Sequence, residues 1–129
     1  MIFLCNSILV LCESFFFLSS CDTCKRIIKT LKLDASITQV DIKKNPLTAG
    51  QLDELYSLTQ SYEALFSKRA QLYKQRDLKN KTLEDTDYRS LLLEHYTFLK
   101  RPVLVYDKTI FIGNSTKVTE AAKVFLDEQ

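Results

Sequence analysis

The hydrophobic and polar positions change rhythm several times along the chain, and each rhythm predicts an element. Residues 14–18 read SFFFL, a continuous apolar run suited to a short parallel strand buried on both faces. Cys24, Ile27, Ile28 and Leu31 follow at i, i+3, i+4 and i+7, an amphipathic helix whose first turn holds the pair Cys21 and Cys24. Residues 38–42 (TQVDI) carry enough β-branched character for a second strand. After Pro46, Thr48-Ala49-Gly50-Gln51 is a capping box, and the helix it opens places Leu52, Leu55 and Tyr56 on one face. Residues 62–82 are polar and helical in short pieces, anchored by Leu65, Phe66, Leu72, Tyr73 and Leu78.

Thr86 can cap a further helix, with Tyr88, Leu91, Leu92 and Tyr96 in one stripe and His95 inside it. Arg101-Pro102 ends that helix, because the residue before a proline avoids the helical region. Val103–Tyr106 and Thr109–Ile112 flank Asp107-Lys108, the spacing of a two-residue hairpin. Gly113 precedes a last helix with Val118, Ala121, Ala122 and Phe125 inward. A strand-helix-strand crossover, a helical stretch, a hairpin and a closing helix together predict an α/β fold with a mixed four-stranded sheet.

Composition narrows the function classes. The 129 residues suit one domain, and 2 Gly and 2 Pro argue against an all-β chain of many tight turns. Gly50 and Gly113 are too far apart for a glycine-rich phosphate or dinucleotide loop. A net charge of +2 is too small for a dedicated nucleic-acid binder, so no direct nucleic-acid role is expected. Among residues 1–20 the sole charge is Glu13. As a membrane span this segment is interrupted by Asn6, Ser7, Glu13, Ser14, Ser19 and Ser20. As a secretory signal it lacks a basic start, with no Lys or Arg before Lys25. Leu18-Ser19-Ser20-Cys21 resembles the processing box of a bacterial lipoprotein, but Glu13 and the missing basic start weigh against it. The preferred reading treats residues 1–13 as an extension, with Cys5 and Cys12 as small packed hydrophobes, and expects a cytoplasmic protein away from membranes.

The chemistry concentrates at Cys21-Asp22-Thr23-Cys24. A cysteine where a buried strand meets a helix faces unpaired N–H groups and the positive end of the helix dipole, both of which favour a thiolate. Such sites bring a cysteine from about 8.5 into roughly the 3.5–7.5 range. Lys25 and Arg26 add positive charge nearby. Cys21 at the helix mouth is the natural attacker, and Cys24, on the apolar face, the resolving thiol. A structural zinc would need a second pair; Cys5 and Cys12 have the wrong spacing, and the one histidine sits in the helix stripe, so no metal is expected.

These residues carry a resemblance that covers residues 14–127. In order, the matching features are FFFLSSCDTCKRIIKTL, Val40-Asp-Ile-Lys-Lys-Asn-Pro46, Leu65-Phe-Ser-Lys-Arg-Ala-Gln-Leu-Tyr73, Leu93-Glu-His95, Leu99-Lys-Arg-Pro102-Val and Phe111-Ile-Gly113. The chain resembles the arsenate reductase family of thioredoxin-fold proteins, the glutaredoxin-linked type that also contains the Spx-type transcriptional regulators. The resemblance implies a single thioredoxin-like domain with a helical insertion at about residues 47–98. It puts the family's nucleophile on Cys21, which would attack the arsenic of arsenate, and its Arg-Pro pair on Arg101 and Pro102, the proline being cis. Arg101 would clamp a small oxyanion, since a planar guanidinium pairs two oxygens at once.

Of the family's other two arginines, one aligns with Ser67, two residues before Arg69, and the other falls near Gly113-Asn114. Arg69, a position shared with Spx-type members, is the weaker second clamp. No bound cofactor is implied. Reducing equivalents would come from glutathione or a redoxin, glutaredoxin or thioredoxin, with an internal Cys21–Cys24 disulfide as one route. Two other readings stay open. One is an Spx-like redox switch binding RNA polymerase, for which residues 68–81, with six basic residues and one acid, could serve a partner or be a solvated face. The other is a general thiol-disulfide or glutathione-dependent reductase.

Overall fold

A computed structural model describes residues 13–129, so the extension through residue 12, with Cys5 and Cys12, lies outside the described residues. The chain divides into two compact units, one formed by the described residues up to Asn45 with Arg101–Gln129, the other by Pro46–Lys100.

Four strands build the first unit: β1 (Glu13–Phe17), β2 (Thr38–Asp41), β3 (Val103–Tyr106) and β4 (Thr109–Ile112). They form one sheet in the order β2-β1-β3-β4. β1 runs parallel to β2, with Phe17 opposite Asp41, and antiparallel to β3, with Phe15 opposite Leu104. β3 and β4 close the hairpin with Tyr106 opposite Thr109. Asp107 takes a φ of 56° in that turn, a conformation that aspartate tolerates better than most side chains. The apolar run of β1 has its expected cause, because Phe15 and Phe16, pointing to opposite faces, are both fully buried. Burying each ring contributes about 2–3 kcal/mol. β1 begins one residue earlier than expected, at Glu13, and ends at Phe17; Leu18 is buried beyond it.

Helix α1 (Asp22–Leu31) lays Ile27 and Leu31 into a cluster with Phe15, Ile37, Leu104 and Ala122. Ala122 comes from the last helix of the chain, Thr116–Asp127, whose N-cap Ser115 accepts from the Val118 N–H at 3.2 Å. Ala121, expected inward, is exposed; the apolar stripe passes through Ala122 and Leu126 instead.

The second unit opens at helix α2 (Ala49–Thr59), where the expected capping box is closed. Gln51 N–H donates to Thr48 Oγ1 at 3.1 Å, and Thr48 N–H to Gln51 Oε1 at 3.0 Å. Single turns at Glu63–Leu65 and Leu78–Asn80 flank the short helix α3 (Gln71–Gln75). Helix α4 (Asp85–Glu94) starts two residues before the position Thr86 would set. Its N-cap is Glu84, whose N–H is taken by the Asp87 carboxylate at 2.9 Å, so Thr86 lies inside the first turn. The helix also ends well before Arg101-Pro102, at Glu94. His95 is its C-cap rather than a member of its stripe, with Nδ1 accepting from Thr97 N–H at 3.2 Å, and Tyr96 opens a separate turn, Tyr96–Phe98. A side-chain acceptor placed one residue past the helix captures an N–H that the helix would otherwise need.

Phe66 organises this unit. Its ring stacks on Phe98 with centroids 5.1 Å apart and meets Tyr88 edge-on at 5.0 Å. Main-chain bonds from Ser67 N–H to Phe98 O (2.7 Å) and from Lys100 N–H to Leu65 O (2.8 Å) fasten the same segments. Arg89 on α4 grips Asp53 on α2 through both carboxylate oxygens, at 2.9 and 3.0 Å. The last helix, Thr116–Asp127, is α5.

Candidate active site

The site is built where β1 hands over to α1. Cys21 is the N-cap of α1 in an extended conformation (φ −94°, ψ 115°). Its N–H donates to Leu18 O at 3.0 Å, and its carbonyl accepts from Lys25 N–H at 3.1 Å, which starts the helix. No side chain closes a capping bond there, which leaves the first-turn N–H groups open at the helix mouth beside Cys21. Both cysteines are reduced; Cys21 is half-buried and Cys24 fully buried.

Their thiols are tuned in opposite directions. Partial burial opposes ionisation of Cys21, but hydrogen bonds from the Cys24 N–H, the Cys24 thiol and the Thr23 N–H, with the charge of Arg101, outweigh it and bring the thiol below its ordinary value. Burial pushes Cys24 up to about 11; the Cys21 charge adds to this, while the Leu18 N–H and Arg101 act against it. The pair therefore combines one thiol disposed to ionise with one that holds its proton. Arg101 is the cation whose charge bears on both sulfurs, whereas Lys25 is exposed and lies 4.0 Å from Asp22. The Arg101–Pro102 peptide bond is cis, in line with the expectation, and Pro102 is buried. Gly113, with φ 96°, donates its N–H to Pro102 O at 2.9 Å; only glycine takes that φ without strain.

Of the residues singled out in the sequence, Cys21, Cys24, Arg101 and Pro102 thus belong to one unit, and the electrostatics join the first three. Arg69 belongs to the other unit, is exposed, and has its N–H 3.4 Å from Ser67 Oγ. Within residues 68–81, Lys68 pairs with Glu63 and Arg76 with Glu94. Among the described residues no group of three or more His, Cys, Asp or Glu converges as a metal site, and no helix is long and apolar enough to cross a membrane.

Two residues that the sequence reading did not single out also reach the cysteine loop. Ser19 Oγ donates to Asp41 Oδ2 at 2.6 Å, tying the loop to the end of β2. Asp41 stands in the quoted Val40-Asp-Ile segment; the signal in the sequence is an aspartate inside the expected strand at residues 38–42, and the structure buries it.

A sheet ordered β2-β1-β3-β4, with a cysteine pair opening the helix after β1, defines a thioredoxin-like protein. The chain belongs to the ArsC family, whose sequence profile matches residues 16–122. It is a family of thiol-dependent reductases. Solved structures agree on the fold. An ArsC family related protein from Bacteroides fragilis is 22% identical with a TM-score of 0.71, covering 86% of this chain and 97% of its own. An arsenate reductase (ArsC) related protein from Brucella melitensis is 26% identical, TM-score 0.65, with 87% and 94% covered. An arsenate reductase from Vibrio cholerae is 19% identical, TM-score 0.65, with 85% and 95% covered. No curated protein matches the chain.

Proposed function

We propose that this protein reduces arsenate to arsenite, with Cys21 as nucleophile, Cys24 as resolving thiol and Arg101 as anion clamp. The observation that carries the reading is the divided titration of the pair, a lowered Cys21 beside a Cys24 that keeps its proton, with Arg101 bearing on both. The Cys21 thiolate attacks arsenic(V); an As–S bond forms, an As–O bond breaks, and the oxygen leaves as water after protonation. A second thiol, from Cys24 or glutathione, then attacks the Cys21 sulfur. An S–S bond forms as the As–S pair returns to arsenic, so two thiols are oxidised and arsenic falls to the +3 state. Glutathione, glutaredoxin or thioredoxin restores the dithiol by exchange. Membership of the ArsC family and the likeness to the Brucella protein support this substrate class. The compartment this reading implies is the reducing cytoplasm.

The test is arsenate-dependent NADPH oxidation, coupled separately through glutathione with glutaredoxin and through thioredoxin. Turnover that disappears in Cys21→Ser supports the reading. Its absence from reduced protein in both couplings contradicts it. The dithiol itself favours a second reading, general thiol-disulfide exchange, which activity on glutathione mixed disulfides without arsenate turnover would select.

A further inference from the structure

The loop that carries Cys21 is held from outside the Cys-x-x-Cys motif. Two of its main-chain groups face the cysteines: Leu18 O accepts from Cys21 N–H, and Leu18 N–H lies against the Cys24 sulfur. Ser19, the next residue, points its bonding groups to β2 instead. Its hydroxyl donates to Asp41 Oδ2 at 2.6 Å and its N–H to Oδ1 at 3.4 Å. Asp41 is anchored in turn, since Oδ1 also accepts from Lys43 N–H at 3.1 Å and its carbonyl accepts from Asn45 N–H at 2.8 Å. Its backbone is in register with Phe17, the last residue of β1. Asp41 is only 9% exposed as a residue, and a carboxylate so placed is unfavourable unless its oxygens are bonded. Here two of its three bonds go to Ser19, two residues before Cys21.

We propose that Asp41, acting through Ser19, is a positioning residue for Cys21: the tether fixes the loop so that the Cys21 sulfur stays against the Thr23 and Cys24 N–H groups. The proposal rests on the reading of Cys21 as the nucleophile. Neither Ser19 nor Asp41 touches the reacting atoms. Without the tether the loop gains freedom, the sulfur leaves its donors for part of the time, and the thiolate loses their stabilisation. The charge of Asp41 works the other way, because an anion beside a thiolate disfavours it. Ser19→Ala separates the two effects: it removes the hydroxyl bond, the shorter of the two that make the tether, while Asp41, Lys44 and Arg101, the charges bearing on these groups, all remain.

The experiment follows the rate of Cys21 alkylation by iodoacetamide against pH in the full chain, with the modified residue located by fragment mass spectrometry. At about pH 6, Ser19→Ala is expected to slow alkylation about three- to tenfold, the rates converging above about pH 9 where Cys21 is ionised in variant and wild type alike. Ser19→Thr, which keeps the hydroxyl, is expected to follow the wild-type profile. In an Asp41→Ala background Ser19→Ala should add nothing, since the tether is already gone. An unchanged pH profile in Ser19→Ala overturns the proposal, even if its melting temperature falls, because that would mark a purely structural bond. A wild-type Cys21 that alkylates no faster than an ordinary thiol removes the nucleophile reading, and the proposal with it.

Discussion

Cys21 caps α1 while Cys24, three residues on, is fully buried in it, and this difference in placement tunes two chemically equal thiols in opposite directions. Cys24 lies on the buried face of α1, where ionisation is opposed, so it keeps its proton and lends it as a hydrogen bond. Cys21 lies at the helix mouth, where donors outnumber the penalty of partial burial.

Arg101→Ala removes the cation that bears on both sulfurs. Loss of a charge-assisted contact to an oxyanion lowers kcat/KM for arsenate about tenfold or more. The same change raises the Cys21 titration, so alkylation at neutral pH also slows. Steady-state kinetics beside an alkylation profile check both; an unchanged kcat/KM takes Arg101 out of the site.

Alkaline stability should report Cys24. Its folded-state value of about 11 lies above the ordinary 8.5 or so, so the folded protein holds a proton there that the unfolded chain releases. That stability is complete below about pH 8.5 and is lost as pH rises through 11. Cys21 has the opposite sign, its contribution being present above the ordinary thiol value and lost as pH falls through its lowered one. Thermal melting of reduced protein should therefore decline between about pH 8.5 and 11, and Cys24→Ala should flatten that decline.

An acid limb should come from the Pro46–Lys100 unit. Hydrogen bonds from Arg89, then Tyr62, hold Asp53 down to about 2. The stability this gives is present above about pH 4 and lost as pH falls through 2. Arg89→Ala should weaken the acid dependence in a melting series. Added salt should do the same in the wild type, because the pair is open to solvent.

Phe66→Ala deletes a ring that is 1% exposed and packed against Phe98, Tyr88 and Tyr73. A loss of about 3–5 kcal/mol is expected in urea unfolding. A loss below about 1 kcal/mol would deny Phe66 its organising place.

What could be read from the chain was mostly local. The run at β1 and the stripe of α1 are patterns complete within a few residues, and the Thr48–Gln51 box and the hairpin at Asp107-Lys108 rest on contacts equally short. The errors came where a neighbour competed for the backbone. Glu84 and Asp87 outbid Thr86 for the start of α4, and the His95–Thr97 turn removed the end of the expected stripe. Ala121 falls outside the inward stripe, which passes through Ala122 and Leu126. The tether from Ser19 to Asp41 spans 22 residues and depends on the parallel register of β1 and β2, which no local spacing encodes.

A single-turnover measurement tests the central claim most directly. Reduced protein is mixed with arsenate, with and without glutathione, and arsenite and the oxidation state of each cysteine are read together. The account predicts about one arsenite per chain, with Cys21 oxidised either to a disulfide with Cys24 or to a mixed disulfide with glutathione. No arsenite in either condition, with Cys21 still a free thiol, would contradict it.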